Sequence, residues 1–268
     1  MKNSKQDTVY FFWSVSILLC MVAAVFVLAF TSCQSGTQSA PVSPSASAGP
    51  SANVSASPSP SAAVQASADP LLAKTDDMGQ AYVDKFVFLG DSTTHGLASY
   101  GVVDSKQVWT PQSGTLTLDR WNISTIVYPD DGSQITIAEA AAKKKPAYLL
   151  ITLGVNGVSY LDESTFTSVY TELVKAVQQA SPDTKIILNS IYPIVSDYYG
   201  ITNAKIDAAN TWIKKIAAST GTRYLDSASV LKDTSGALIE KYSNGDKLHE
   251  NAAGYQLIIN YLRTHGYT

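Results

Sequence analysis

Cysteine is nearly absent from this chain: of 268 residues, only Cys20 and Cys33 carry a thiol. Both lie near the N-terminus, so the rest has no disulfide framework and no thiolate zinc site. Histidine is almost as scarce, with His95, His249 and His265 the three present, which leaves few side chains able to move a proton near neutral pH. Charge is thin too: 15% of residues are charged and the net charge is −3. That balance excludes the basic footprint a nucleic-acid binder needs, and no nucleic-acid partner is expected. The little charge there is has an uneven distribution. Residues 34–68 hold no charged side chain, and all but 3 of the 19 Lys and Arg lie at or beyond Lys85.

What is there divides the chain into three. Residues 9–30 are 22 consecutive positions without charge, Gly or Pro. As a helix they would extend about 33 Å, enough for a hydrocarbon core of about 30 Å. Lys2 and Lys5 precede this run, which places the short N-terminus in the cytoplasm and everything after it outside. Residues 1–33 are therefore expected to be a cytoplasmic stub and a single membrane-spanning anchor. A second reading stays open, because small residues before Cys33 resemble a bacterial lipoprotein signal, with lipid on that cysteine. Residues 34–68, dominated by Ser, Ala and Pro, lack the aromatic and large aliphatic side chains that repay ordering entropy, and residues 34–77 are expected to form a disordered linker. Residues 78–268 are then one domain.

Within that domain, strand-like and helix-like runs alternate. Residues 85–89, 147–153 and 185–191 are near-continuous apolar runs of the kind a parallel sheet buries on both faces. Residues 222–225 read as a short further strand and residues 123–127 as a weaker one. Phe166, Val169, Leu173 and Val177 share one helical face, as do Ile206, Ala209, Ile213 and Ile216. A last helix over residues 251–264 is expected to pack Leu257, Ile258 and Tyr261. The alternation predicts a three-layer α/β fold around a mostly parallel five-stranded sheet.

Open parallel sheets collect functional groups at the carboxyl ends of their strands. Three polar clusters fall there: Gly90-Asp91-Ser92-Thr93-Thr94-His95-Gly96, Gly154-Val155-Asn156-Gly157, and Asp246-Lys247-Leu248-His249. Ser92 sits where a sharp turn starts a helix, with its hydroxyl and its own N–H exposed to the same space. A serine hydroxyl needs a base. His95, three residues on along the same short helix, is poorly placed, and His265 lies in the C-terminal tail. His249 follows Asp246 by three residues, a spacing that lets the carboxylate accept a hydrogen bond from Nδ1–H and leaves Nε2 to take the serine proton. Asn156 offers an amide NH₂ to a developing oxyanion. Asp91, Tyr160 and Tyr192, on the same rim, are candidate substrate contacts, with Tyr198 and Tyr199 nearby. Residues 192–200 read as a substrate loop. No metal-ligand spacing is present.

Taken together, GDSTTHG, GVN and DKLH resemble the first, third and last sequence blocks of the GDSL/SGNH hydrolases, in the same order, across essentially the whole domain. The resemblance implies a flavodoxin-like sheet and no metal or organic cofactor. It implies Ser92 as nucleophile, His249 as base, Asp246 as its partner, and an oxyanion hole of the Ser92 N–H, the Gly132 N–H and Asn156. Gly157 departs from the family, which often has Asp there, and so loosens the support expected for Asn156. Gly132 is placed by position alone. The expected activity is a membrane-tethered, extracytoplasmic serine esterase acting on a small acyl ester or an acylated glycan, most simply an acetylated carbohydrate of the envelope. An O-acyltransferase and a non-catalytic glycan-binding module are the alternatives. Nothing in the sequence sets the oligomeric state.

Overall fold

The computed structural model describes residues 69–267. The run expected to span a membrane, Cys33 and the uncharged stretch to residue 68 lie outside the described residues. No helix among the described residues is long and apolar enough to cross a membrane.

A five-stranded parallel sheet forms the centre. Its strands are β1 (Phe86–Gly90), β2 (Val108–Trp109), β5 (Tyr148–Thr152), β6 (Lys185–Asn189) and β7 (Arg223–Leu225), in the order β2-β1-β5-β6-β7. Strand residues alternate between two cores. Val87, Leu89, Leu149, Ile151, Ile186 and Leu188 point to one face; Phe86, Phe88, Leu150, Ile187 and Leu225 point to the other. Covering both faces with helices explains why these segments are apolar throughout rather than alternately. On the first face lie α3 (Ile137–Lys144), α4 (Glu163–Ala180) and α5 (Asn203–Thr220). On the second lie α1 (Gln80–Val83), α2 (Ser92–Ser99) and α6 (Ala252–Arg263). The expected three-layer architecture with five parallel strands is thus the observed one.

Three expectations need correction. Residues 123–127 do not join the main sheet; β3 (Thr125–Val127) pairs antiparallel with β4 (Gln134–Thr136) in a separate hairpin. The fifth place belongs to β2, whose Trp109 is fully buried opposite Leu89. Two residues are too short a run to show a period, so this strand leaves no pattern in the sequence. The α6 face is wider than expected: Leu257, Ile258 and Tyr261 do pack on the core, the first and last partly buried, and Tyr255, Ile259 and Leu262 are buried beside them. The linker is expected to reach residue 77, but the fold begins before that residue. Leu72 is buried, its N–H donates to Tyr224 O at 2.8 Å, and Tyr224 N–H donates to Pro70 O at 2.8 Å. These residues extend the sheet past β7 and cover its edge, a place where backbone groups otherwise stay unpaired.

The strand order reverses between β1 and β5: the chain leaves β1 towards β2 on one side and later returns to β5 on the other. Crevices for ligands open at the carboxyl ends of strands at such a reversal. The cluster at Ser92 follows β1 and that at Asn156 follows β5.

Candidate active site

The end of β1 leaves no room for a side chain. A Cβ on Gly90 would overlap Thr94 Oγ1 and the carbonyl of Thr152, so glycine lets α2 start directly against β5. Asp91 then caps α2: its carboxylate accepts from the Thr93 N–H at 3.1 Å and from the Thr93 hydroxyl at 2.9 Å. Ser92 becomes the first residue of the helix, where its N–H has no carbonyl one turn back to bind. Its side chain is half-buried.

The loop before α6 delivers the other two groups. Asp246 organises that loop through Oδ1, which accepts from the Leu248 N–H at 2.9 Å and the His249 N–H at 2.8 Å. Its Oδ2 meets His249 Nδ1 at 2.6 Å, and His249 Nε2 lies 2.8 Å from Ser92 Oγ, 157 positions away in sequence. The tautomer that donates Nδ1–H to the carboxylate leaves Nε2 to accept from the serine. Partial burial pulls the Asp246 carboxyl upward, but donors from His249 and Leu248 outweigh it and hold the group below the usual aspartate range. Lys247 has a left-handed φ of 74°, a conformation ordinary side chains resist. Its carbonyl is fixed by the Val195 N–H at 2.9 Å. His95 faces elsewhere, with Nδ1 3.5 Å from Thr110 Oγ1. His265 stacks on Tyr261 with centroids 3.7 Å apart.

Asn156 points its amide towards the same place. Nδ2 lies 3.4 Å from Asp91 Oδ2 and 3.4 Å from Leu116 O, contacts long enough for a stronger acceptor to displace. Gly157 does not leave this loop loose. A Cβ there would press on Leu161, and Gly157 N–H closes a turn onto Gly154 O at 2.8 Å.

Sequence similarity now decides the family. Residues 88–257 match the GDSL-like Lipase/Acylhydrolase family. The chain belongs to that family. It is a serine ester hydrolase. No curated protein matches the sequence. Among solved structures, this GDSL-like hydrolase is similar in fold to a Bacteroides fragilis protein described as an acylhydrolase (19% identity, TM-score 0.50, covering 71% of this chain and 88% of the other). A GDSL-like lipase from Bacteroides thetaiotaomicron is similar at 18% identity and TM-score 0.50, covering 67% of this chain and 86% of that one.

Three site expectations for this GDSL-like hydrolase are overturned by its geometry. Gly132 lies in the β3–β4 turn with φ 73°, and its N–H is committed to Tyr128 O at 2.8 Å, so it is not a free oxyanion donor. The segment that reaches Asn156 is instead the loop after β2, through Leu116 O; with β2 unseen, that loop had no strand end to announce it. Asp91 is 1% exposed and serves the helix cap and Asn156 rather than substrate. Its burial pushes the carboxyl up to about 6, against the pull of the Thr93 donors. Tyr192 is buried, with its hydroxyl accepting from Asn189 Nδ2 at 3.0 Å. Tyr160 does stand on the surface, 57% exposed, and its hydroxyl donates to Asp119 at 2.8 Å. Sequence reasoning also missed Glu250, fully buried beside His249.

Proposed function

We propose that this hydrolase removes short acyl groups, acetyl foremost, from carbohydrate of the cell envelope, and that residues 9–30 tether it to the outer face of a membrane. The observation that carries the catalytic reading is the unbroken chain from Asp246 through His249 to Ser92, at 2.6 Å and 2.8 Å. Ser92 Oγ attacks the ester carbonyl carbon as its proton passes to His249 Nε2, and Asp246 stabilises the imidazolium that results. The carbonyl oxygen becomes an oxyanion, which the Ser92 N–H and the Asn156 amide are positioned to receive. Collapse expels the alcohol, which takes the proton from His249, and leaves an acyl-Ser92. Water then attacks with its proton going to His249, and the acid departs as Ser92 recovers its hydrogen.

The short acyl group is supported by what the surface offers. Among the described residues the exposed large hydrophobic side chains are Met78, Tyr100, Ile123, Tyr160 and Tyr199, which supply no aliphatic track for a long chain. The tether is supported by the uncharged run behind Lys2 and Lys5 and by the uncharged segment that follows it.

The test compares p-nitrophenyl acetate hydrolysis by the full-length protein and its variants. Ser92→Ala and His249→Ala are each expected to lower kcat/KM by at least about 10³-fold, while His95→Ala stays near wild type. Equal turnover by wild type and Ser92→Ala would overturn the reading, as would acyl transfer to a glycan hydroxyl outpacing hydrolysis.

A further inference from the structure

Tyr199 is 87% exposed and has a left-handed φ of 45°. It occupies the first central position of a two-residue turn whose second is Gly200, φ 82°. Tyr198 and Ile201 close the turn reciprocally: Tyr198 N–H donates to Ile201 O at 3.0 Å and Ile201 N–H to Tyr198 O at 2.8 Å. Two successive positive φ values are the type I′ pattern, for which Asn-Gly or Gly-Gly is the comfortable choice. A tyrosine there is strained, and its ring recovers little through burial. Its one close aromatic neighbour is Tyr198, edge-on at 4.7 Å and 89°.

The turn is anchored on both sides of the site. Val195, three residues before Tyr198, donates its N–H to the Lys247 carbonyl at 2.9 Å, between Asp246 and His249. On the other side Lys205 Nζ donates to Gly200 O at 2.9 Å and to Ser159 O at 3.4 Å, binding the turn to the loop that carries Asn156. Exposed Tyr160 is the next residue along that loop. A local rule broken at an exposed position, with no compensating contact, marks a functional residue more often than a structural one.

We propose that Tyr199 is a specificity-determining residue, a ring held out beside the Ser92 rim to stack on a sugar of the acylated glycan. Tyrosine suits that task because it presents a flat apolar face at low entropic cost, with a polar tip. The surroundings favour a sugar over a lipid: the turn is flanked by Lys205 and the Ser159 carbonyl, polar groups that match hydroxyls. This assignment rests on the carbohydrate-esterase reading above.

The experiment measures kcat/KM on partially O-acetylated chitotriose and on p-nitrophenyl acetate, and takes their ratio. Tyr199→Ala is expected to lower the ratio about fivefold, carried by KM for the oligosaccharide, while Tyr199→Phe keeps it. Tyr199→Asn, which tolerates the turn better, is expected to lower the ratio equally while raising the thermal midpoint. A ratio unchanged in Tyr199→Ala overturns the proposal. So does equal loss on both esters with a lowered midpoint, the mark of a folding role. Failure of the esterase reading shows differently, as no Ser92-dependent turnover of either ester.

Discussion

Two acids stand close to His249, and they have opposite relations to charge. Asp246 is ionised, accepting from two backbone N–H groups and from the imidazole. Glu250, the next residue after His249, is fully enclosed. Burial, helped by the nearby charges of Asp91 and Asp246, outweighs the pull of its own N–H and the Tyr255 hydroxyl and pushes its carboxyl up to about 8. Around neutral pH it is held as the uncharged acid. The unfolded chain releases this proton in the ordinary glutamate range, whereas the folded one keeps it to about pH 8. The folded state therefore binds more protons across that window, and stability falls as pH rises through it. Asp91 acts in the same sense over a narrower window, reaching about 6. Glu250→Gln removes the larger contribution. Its thermal midpoint is expected to exceed wild type by a margin that widens from pH 5 to pH 8; a margin that stays flat or narrows contradicts a buried neutral acid. The same residue scale separates what was legible from what was not. Asp246 and His249 were readable because three residues of spacing bring them together locally. Their approach to Ser92, 157 positions away, is a tertiary fact, as is the enclosure of Glu250, which a sequence shows only as one more charged residue.

Among the elements, β1, β5, β6 and β7 were readable because burial on both faces writes a continuous apolar run. The pairing of each was not, since a run of Val, Ile and Leu is the same on any neighbour. β2 shows the cost of brevity: two residues, one of them the buried Trp109, precede the loop that approaches Asn156 through Leu116 O, and so short a strand leaves no pattern in the sequence to announce that loop. The tightest joint is that between β1, α2 and β5. Gly90→Ala must displace the Thr152 carbonyl or Thr94, and the expected cost is about 2 kcal/mol of stability. Because Asp91 and Ser92 follow immediately, kcat on p-nitrophenyl acetate should fall as well. A urea midpoint and turnover both at wild-type values would show that the strand end has slack.

At the scale of the whole molecule, the domain begins before its apolar alternation does. Leu72 is buried and the backbone around it pairs with Tyr224, so residues 70–72 already belong to the sheet at the β7 edge. The sequence shows a composition change at Asp69, where charge returns, and that change marks the boundary better than the first strand pattern. The proposed membrane anchor falls within residues 9–33. Cys33→Ala separates the two expected anchors. Retention of the full-length variant in the membrane fraction fits a spanning helix, whereas its release into the soluble fraction identifies lipidation at Cys33.

The sequence by itself determined the family, the αβα class, four of the five sheet strands, and which serine, aspartate, histidine and asparagine to watch. Each of these is written locally, as a spacing, a turn or an apolar run. Only the tertiary structure decided where β2 lies, that Gly132 spends its N–H inside a hairpin, and that Asp91 and Tyr192 are enclosed. It alone set Tyr199 outward on a left-handed turn. The physical reason is common to all of them: exposure, enclosure and a free donor depend on what packs from distant parts of the chain. Scarce cysteine and histidine narrowed the chemistry to one hydroxyl and few bases, and packing brought that hydroxyl to His249.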